Sequence, residues 1–80
     1  EVINMDKINI ELSKEEALVL FEFLNKLSNG QTVVQYEDKS EEQVLAIIEC
    51  ILEKSLDEPF SKNYLELLQK AREKIKNKEQ

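Results

Sequence analysis

Histidine and tryptophan are absent from this 80-residue chain, and cysteine, glycine, proline and methionine each occur once. These gaps exclude much chemistry. Without histidine, and with Cys50 alone, no usual zinc ligand set can be assembled. The acids lack the Asp-x-Asp-x-Asp-Gly order of a calcium loop. A single glycine, Gly30, rules out both the phosphate-binding loop and the dinucleotide fingerprint. One cysteine cannot close an internal disulfide. Cys50 sits in the apolar run "AIIECILEK" and reads as a small, half-buried thiol. No histidine, cationic neighbour or helix N-terminus is there to activate it. No apolar run approaches the roughly 20 residues that span a bilayer. The opening "EVINMDKINIEL" lacks a basic segment followed by an unbroken apolar stretch, as a secretory signal would require. The expectation is one cytoplasmic domain with no cofactor and no catalytic activity. A carboxylate pair for acid/base work on a glycoside would need a cleft, and these acids fall mostly on solvent-facing positions.

What the chain has is charge, unevenly distributed. Residues 1–58 carry 14 Asp/Glu and 5 Lys, a net of −9, whereas residues 59–80 carry 3 Glu and 6 Lys/Arg, a net of +3. Together these give the overall −6. An acidic chain is a poor match for phosphate backbones, so direct nucleic-acid binding is not expected. The basic ending "KAREKIKNK" suits the negative end of a helix dipole. The apolar fraction of 41% is that of a folded domain, although so short a chain holds only a small core.

Three helices are legible. Ser13 followed by Glu16 forms a capping-box signature. Behind it, Ala17, Leu20, Phe21, Leu24, Leu27 and Ser28 share one face, widened by Leu18 and Phe23. Glu15, Val19, Glu22 and Lys26 fall opposite. Ser28–Asn29–Gly30 marks the stop. A second helix is expected from Ser40, with Glu41, Glu42 and Gln43 in its first turn and a stripe of Val44, Ile47, Ile48, Ile51 and Leu52, edged by Leu45 and Leu56. Pro59 bounds it by pushing Glu58 out of the helical region. Phe60 is expected to pack as a plug beneath the helices. A third helix after Ser61 presents Tyr64, Leu65, Leu67, Leu68, Ala71 and Ile75. Short connections predict an antiparallel three-helix bundle, mainly α. Alternation in "KINIEL" at 7–12 and the β-prone "QTVVQYE" at 31–37 leave open a short two-stranded element at the N-terminal side. Residues 1–6 and 77–80 are expected to fray.

The candidate binding surface is an acidic stripe on the second helix. At 100° per residue, Glu42, Ala46, Glu49 and Glu53 project within about 60° of one another. Asp38 and Glu41 extend the negative region before the stripe, and Asp57 and Glu58 extend it beyond. Such a surface, bordering the apolar face, suits a basic partner such as a nuclease cleft, with an encounter steered by charge and weakened by salt.

The pattern also carries a resemblance. Leu12, Ser13, Glu16, Ala17, Leu20 and Phe21 match a leading "L-[ST]-x-x-E-A-x-x-L-F" segment. Glu49, Leu52, Glu53, Lys54 and Leu56 match a central "E-x-x-L-E-K-x-L" helix. Glu58, Pro59, Phe60, Tyr64, Leu67, Leu68, Ala71 and Arg72 match an "E-P-F-x-x-x-Y-x-x-L-L-x-x-A-R" ending. Over about residues 10–76 the chain resembles a family of small acidic bacterial proteins, some serving as immunity proteins of contact-dependent growth inhibition toxins. The resemblance implies a small cytosolic inhibitor that occludes a toxin's active site. The alternative from the residues themselves is a helical regulatory or homodimeric interaction protein without a toxin.

Overall fold

In the computed structural model, residues 6–78 are described. The chain forms α1 (Lys14–Ser28), α2 (Lys39–Ser55), a 3-10 turn (Glu58–Phe60) and α3 (Tyr64–Lys78). Of the ends expected to fray, residues 1–5 and 79–80 lie outside the described residues.

The start of α1 is the capping box read from the sequence. The Glu16 N–H donates to Ser13 Oγ at 3.1 Å, and the Ser13 N–H donates back to Glu16 Oε1 at 2.8 Å. Two of the donors that every helix start leaves unpaired are thus satisfied locally. At the other end Gly30 takes φ +76°, open to glycine at little cost. That lets Gly30 N–H reach Leu27 O and Gln31 N–H reach Lys26 O, closing the last carbonyls.

The start of α2 differs from the expectation. Its cap is Asp38, not Ser40: Asp38 Oδ2 accepts from the Ser40 N–H at 2.8 Å. A carboxylate placed two residues before the serine wins the cap, and Ser40 falls inside the first turn. The helix ends at Ser55 because Leu56 turns extended and buries its side chain. Pro59 sits at the start of the 3-10 turn, where its missing N–H costs nothing.

α1 is the central helix. It packs against both α2 and α3, which touch each other little. Lys74, late in α3, meets Glu15, early in α1, while Tyr64 at the start of α3 meets Glu22 further along α1. Likewise Glu49 of α2 meets Asn25 and Ser28 near the end of α1. Glu58, just past α2, meets Lys14 at the start of α1, so both neighbours run antiparallel to α1, as the short connections require. The core comprises Leu18, Phe21 and Leu24 of α1, Leu52 and Leu56 of the α2 end, and Ala71 of α3, with Leu68 also buried.

Several expected positions are corrected. No strand forms at 7–12 or 31–37 among the described residues, and Ile8, Ile10 and Val33 are exposed. The two segments do not pair, and an unpaired strand has nothing to hold it. Phe60 is exposed rather than a plug, because the 3-10 turn directs it away from the core. Leu65 is exposed while Leu68 and Ala71 face inward. Cys50 is exposed rather than half-buried. On α1, Val19 and Glu22, placed on the outer side by periodicity, are partly covered, because α3 occupies that side.

Candidate functional site

The expected acidic residues fall into two groups once the helices are packed. The first group is engaged within the fold. Asp38 caps α2, and its carboxyl is held below its ordinary pKa by the Ser40 hydroxyl and then the Ser40 N–H. Glu41 Oε1 accepts from the Glu37 N–H at 2.9 Å and so fixes the entry to α2. Glu49 is half-buried in the α1–α2 seam, where one oxygen accepts from Asn25 Nδ2 at 3.3 Å and from Ser28 Oγ at 3.2 Å. Glu58 pairs with Lys14 at 3.0 Å, tying the 3-10 turn to the start of α1. The Lys14 ammonium, foremost among its neighbours, lowers the Glu58 pKa, and Glu58 in turn raises that of Lys14. The second oxygen of Glu58, Oε1, is buried without a partner.

The second group is Glu42, Glu53 and Asp57, all exposed. Among the described residues none of the three is in an ion pair or a side-chain hydrogen bond. Glu42 and the half-buried Glu49 flank a cleft of about 150 Å³ between the end of α1 and the first half of α2, closed on one side by Tyr36. Its walls are Leu24, Leu27 and Leu45, with Ala46 as the small residue that leaves it open. An apolar slot lined also by the unpaired Glu42 carboxylate suits the stem and charged head of a lysine or arginine side chain. No group of three or more potential metal ligands occurs among the described residues. The structure thus brings Glu42 and Glu49 together, leaves Glu53 one turn further along, and sets Glu58 apart in its pair with Lys14.

Three α2 residues placed in the core by periodicity belong instead to the surface, as does Phe23 of α1. Val44, Ile47 and Ile51 are 52%, 59% and 58% exposed. They form a stripe on α2 spaced three and four residues apart, turned away from α1. The buried side of α2 is Leu45, Ile48, Leu52 and the adjoining Leu56. The sequence held a signal for this. From Ile47 round to Leu56 the apolar arc covers about 180° of the helix, more than the single neighbour α1 can cover.

The basic end of α3 is largely matched within the fold. Lys70 pairs with Glu66 at 3.4 Å, Lys76 with Glu73 at 3.6 Å, and Lys74 with Glu15 at 3.4 Å. Glu15 is held below its ordinary pKa by its own backbone N–H at the helix start and then by Lys74. Among the described residues no helix is long and apolar enough to cross a membrane. Comparison of the chain with protein-family models, curated proteins and solved structures finds no match.

Proposed function

We propose that this chain is a non-catalytic protein-binding module of the cytoplasm, an immunity protein or antitoxin that neutralises a basic bacterial toxin of nuclease type by occluding its active site. The observation that carries this reading is the set of uncommitted carboxylates on α2. Glu42 and Glu53 are exposed and unpaired while the acids around them are engaged in caps and ion pairs. Asp57 continues the set past the helix end. The resemblance over residues 10–76 supports the same reading. A cleft that grips a nucleic-acid phosphate presents lysine and arginine. A row of free carboxylates on a firm helix can occupy those cations and keep the substrate out.

Glu49 is set aside as a contact residue because it holds α1 to α2. The test is capture of a basic protein from the native host on the immobilised chain, with mass spectrometry to identify it. Glu42→Lys with Glu53→Lys is expected to abolish capture while circular dichroism stays helical, and rising salt is expected to weaken capture by the unmodified chain. Normal capture by the double variant sinks the proposal.

The exposed stripe of Val44, Ile47 and Ile51 favours a second reading, a helical interaction protein with no toxin, because an apolar surface on a folded domain asks for a cover. The two readings use opposite sides of α2. Glu42 and Glu53 lie about 160–180° around the helix from Val44.

A further inference from the structure

We infer that the Val44–Ile47–Ile51 face is the contact between two copies of this chain, joined as an antiparallel α2–α2 pair. The first argument is area. A compact monomer of 9.4 kDa exposes about 5,000 Å² by the general scaling of surface with mass. This chain exposes 6654 Å². Part of that excess is the open α2 face, where Val44, Ile47 and Ile51 stand exposed, and part is the extended segments that carry Ile8, Ile10 and Val33.

The second argument is self-complementarity. A two-fold interface needs the same surface to fit itself. With the two α2 helices antiparallel and crossing between Ile47 and Ile48, Val44 of one copy lies level with Ile51 of the other, and the two Ile47 side chains meet at the centre. Beside Val44 a groove of about 440 Å³ runs between α2 and the extended segment that carries Val34 and Tyr36. In this register each copy offers Ile51 to the other's groove.

The third argument is charge. The positions bordering the stripe are Ser40, Gln43, Lys54 and Ser55, with Glu41 already bound to the Glu37 N–H. Glu41 and Lys54 each lie about 10 Å along the axis from the crossing point at the helical rise. Each is therefore about 20 Å from its own counterpart in the other copy. Along the two α2 helices the contact brings no like charges together, and Glu42 and Glu53 stay on the outer side of both copies. That last point makes the contact independent of the toxin reading: either can fail alone.

Sedimentation equilibrium from micromolar to millimolar concentration tests the inference. The expected mass is twice the 9.4 kDa of the chain. Ile47→Glu is expected to return it to a single chain with helical circular dichroism intact. Phe23→Glu, which alters an exposed apolar residue on α1, is expected to leave the dimer in place. Should Ile47→Glu unfold, Val44→Ser gives the same reading with a smaller change, seen as a weaker dimer. A wild-type chain that stays monomeric across the range overturns the inference, whether residues 7–12 of the same chain or nothing covers the stripe. A dimer unaffected by folded Ile47→Glu, or by Val44→Ser where Ile47→Glu unfolds, overturns it equally.

Discussion

α1 and α2 have similar local designs and opposite surroundings. Each starts with a short polar cap and two acids in the first turn, and each carries a broad apolar arc. α1 buries Leu18, Phe21 and Leu24 and tucks Ala17, Val19, Leu20 and Leu27 against them. α2 buries only Leu52 within the helix and leaves Val44, Ile47 and Ile51 facing out. The difference is the number of neighbours: α1 lies between two helices, and α2 has one. Amphipathicity states which face can be buried. The neighbours decide how much of it is.

The largest expected effect lies in α1. Leu24, with 2% of its surface exposed, sits in the core. Leu24→Ala is expected to cost about 2–5 kcal/mol, enough to unfold much of so small a domain, as read by urea denaturation. On α2, Leu52→Ala should fall in the same class while its neighbour Ile51→Ala does not. A loss for Ile51 in dilute solution as large as that for Leu52 would break the contrast drawn between buried and open faces.

Next come the local fastenings. Ser13→Ala removes the cap that starts α1 and should cost about 1 kcal/mol in the same denaturation assay. Tyr64→Phe removes the hydroxyl that donates to Glu22 Oε1 at 2.8 Å and joins α3 to α1. The expected cost is about 0.5–1.5 kcal/mol. Partial burial, foremost, and then the Glu22 carboxylate raise the Tyr64 pKa well above 10.0. The folded state therefore keeps the phenol proton that the unfolded chain releases. The corresponding stability is full below pH 10.0 and declines as pH rises beyond it. Tyr64→Phe should flatten that alkaline decline, and an unchanged alkaline limb would show that the α1–α3 seam does not depend on this bond.

A smaller effect is expected at acid pH. The Glu58 pKa is depressed by Lys14, so its contribution is present above the ordinary carboxylate value of 4.5 and is lost as pH falls through the lower folded value. Glu58→Gln should shallow the acid limb of a thermal-unfolding profile and leave neutral helicity unchanged. Least of all, Ile51→Ala in dilute solution should shift stability by no more than about 0.5 kcal/mol. Its effect should grow with chain concentration as the second copy binds.

Much of the fold was legible because its signals are local. The Ser13–Glu16 box, the Gly30 stop and the 3.6-residue periodicity act within a few residues of chain, and each led to the right helix in the right order. Pro59 does not bound α2, which stops at Ser55, and Glu58 lies within the 3-10 turn rather than outside helical geometry. The misses share another cause. Asp38 displaced Ser40 as the α2 cap because two side chains competed for one set of N–H groups. Glu49 and Glu58 looked like surface acids until α1 supplied Asn25, Ser28 and Lys14 as partners. Val44, Ile47 and Ile51 looked like core because periodicity cannot count neighbours.

The sequence by itself determined three amphipathic helices, their caps and stops, an acidic α2 and a basic end to α3. These follow from dihedral preferences, dipole matching and hydrophobic spacing, which act over one or two turns. Only the tertiary structure decided that α1 is central and that, among the described residues, Glu42 and Glu53 remain free while Glu49 and Glu58 are engaged and α2 keeps an apolar face open. Burial depends on which surfaces meet across long stretches of chain, and no spacing along one helix contains that information.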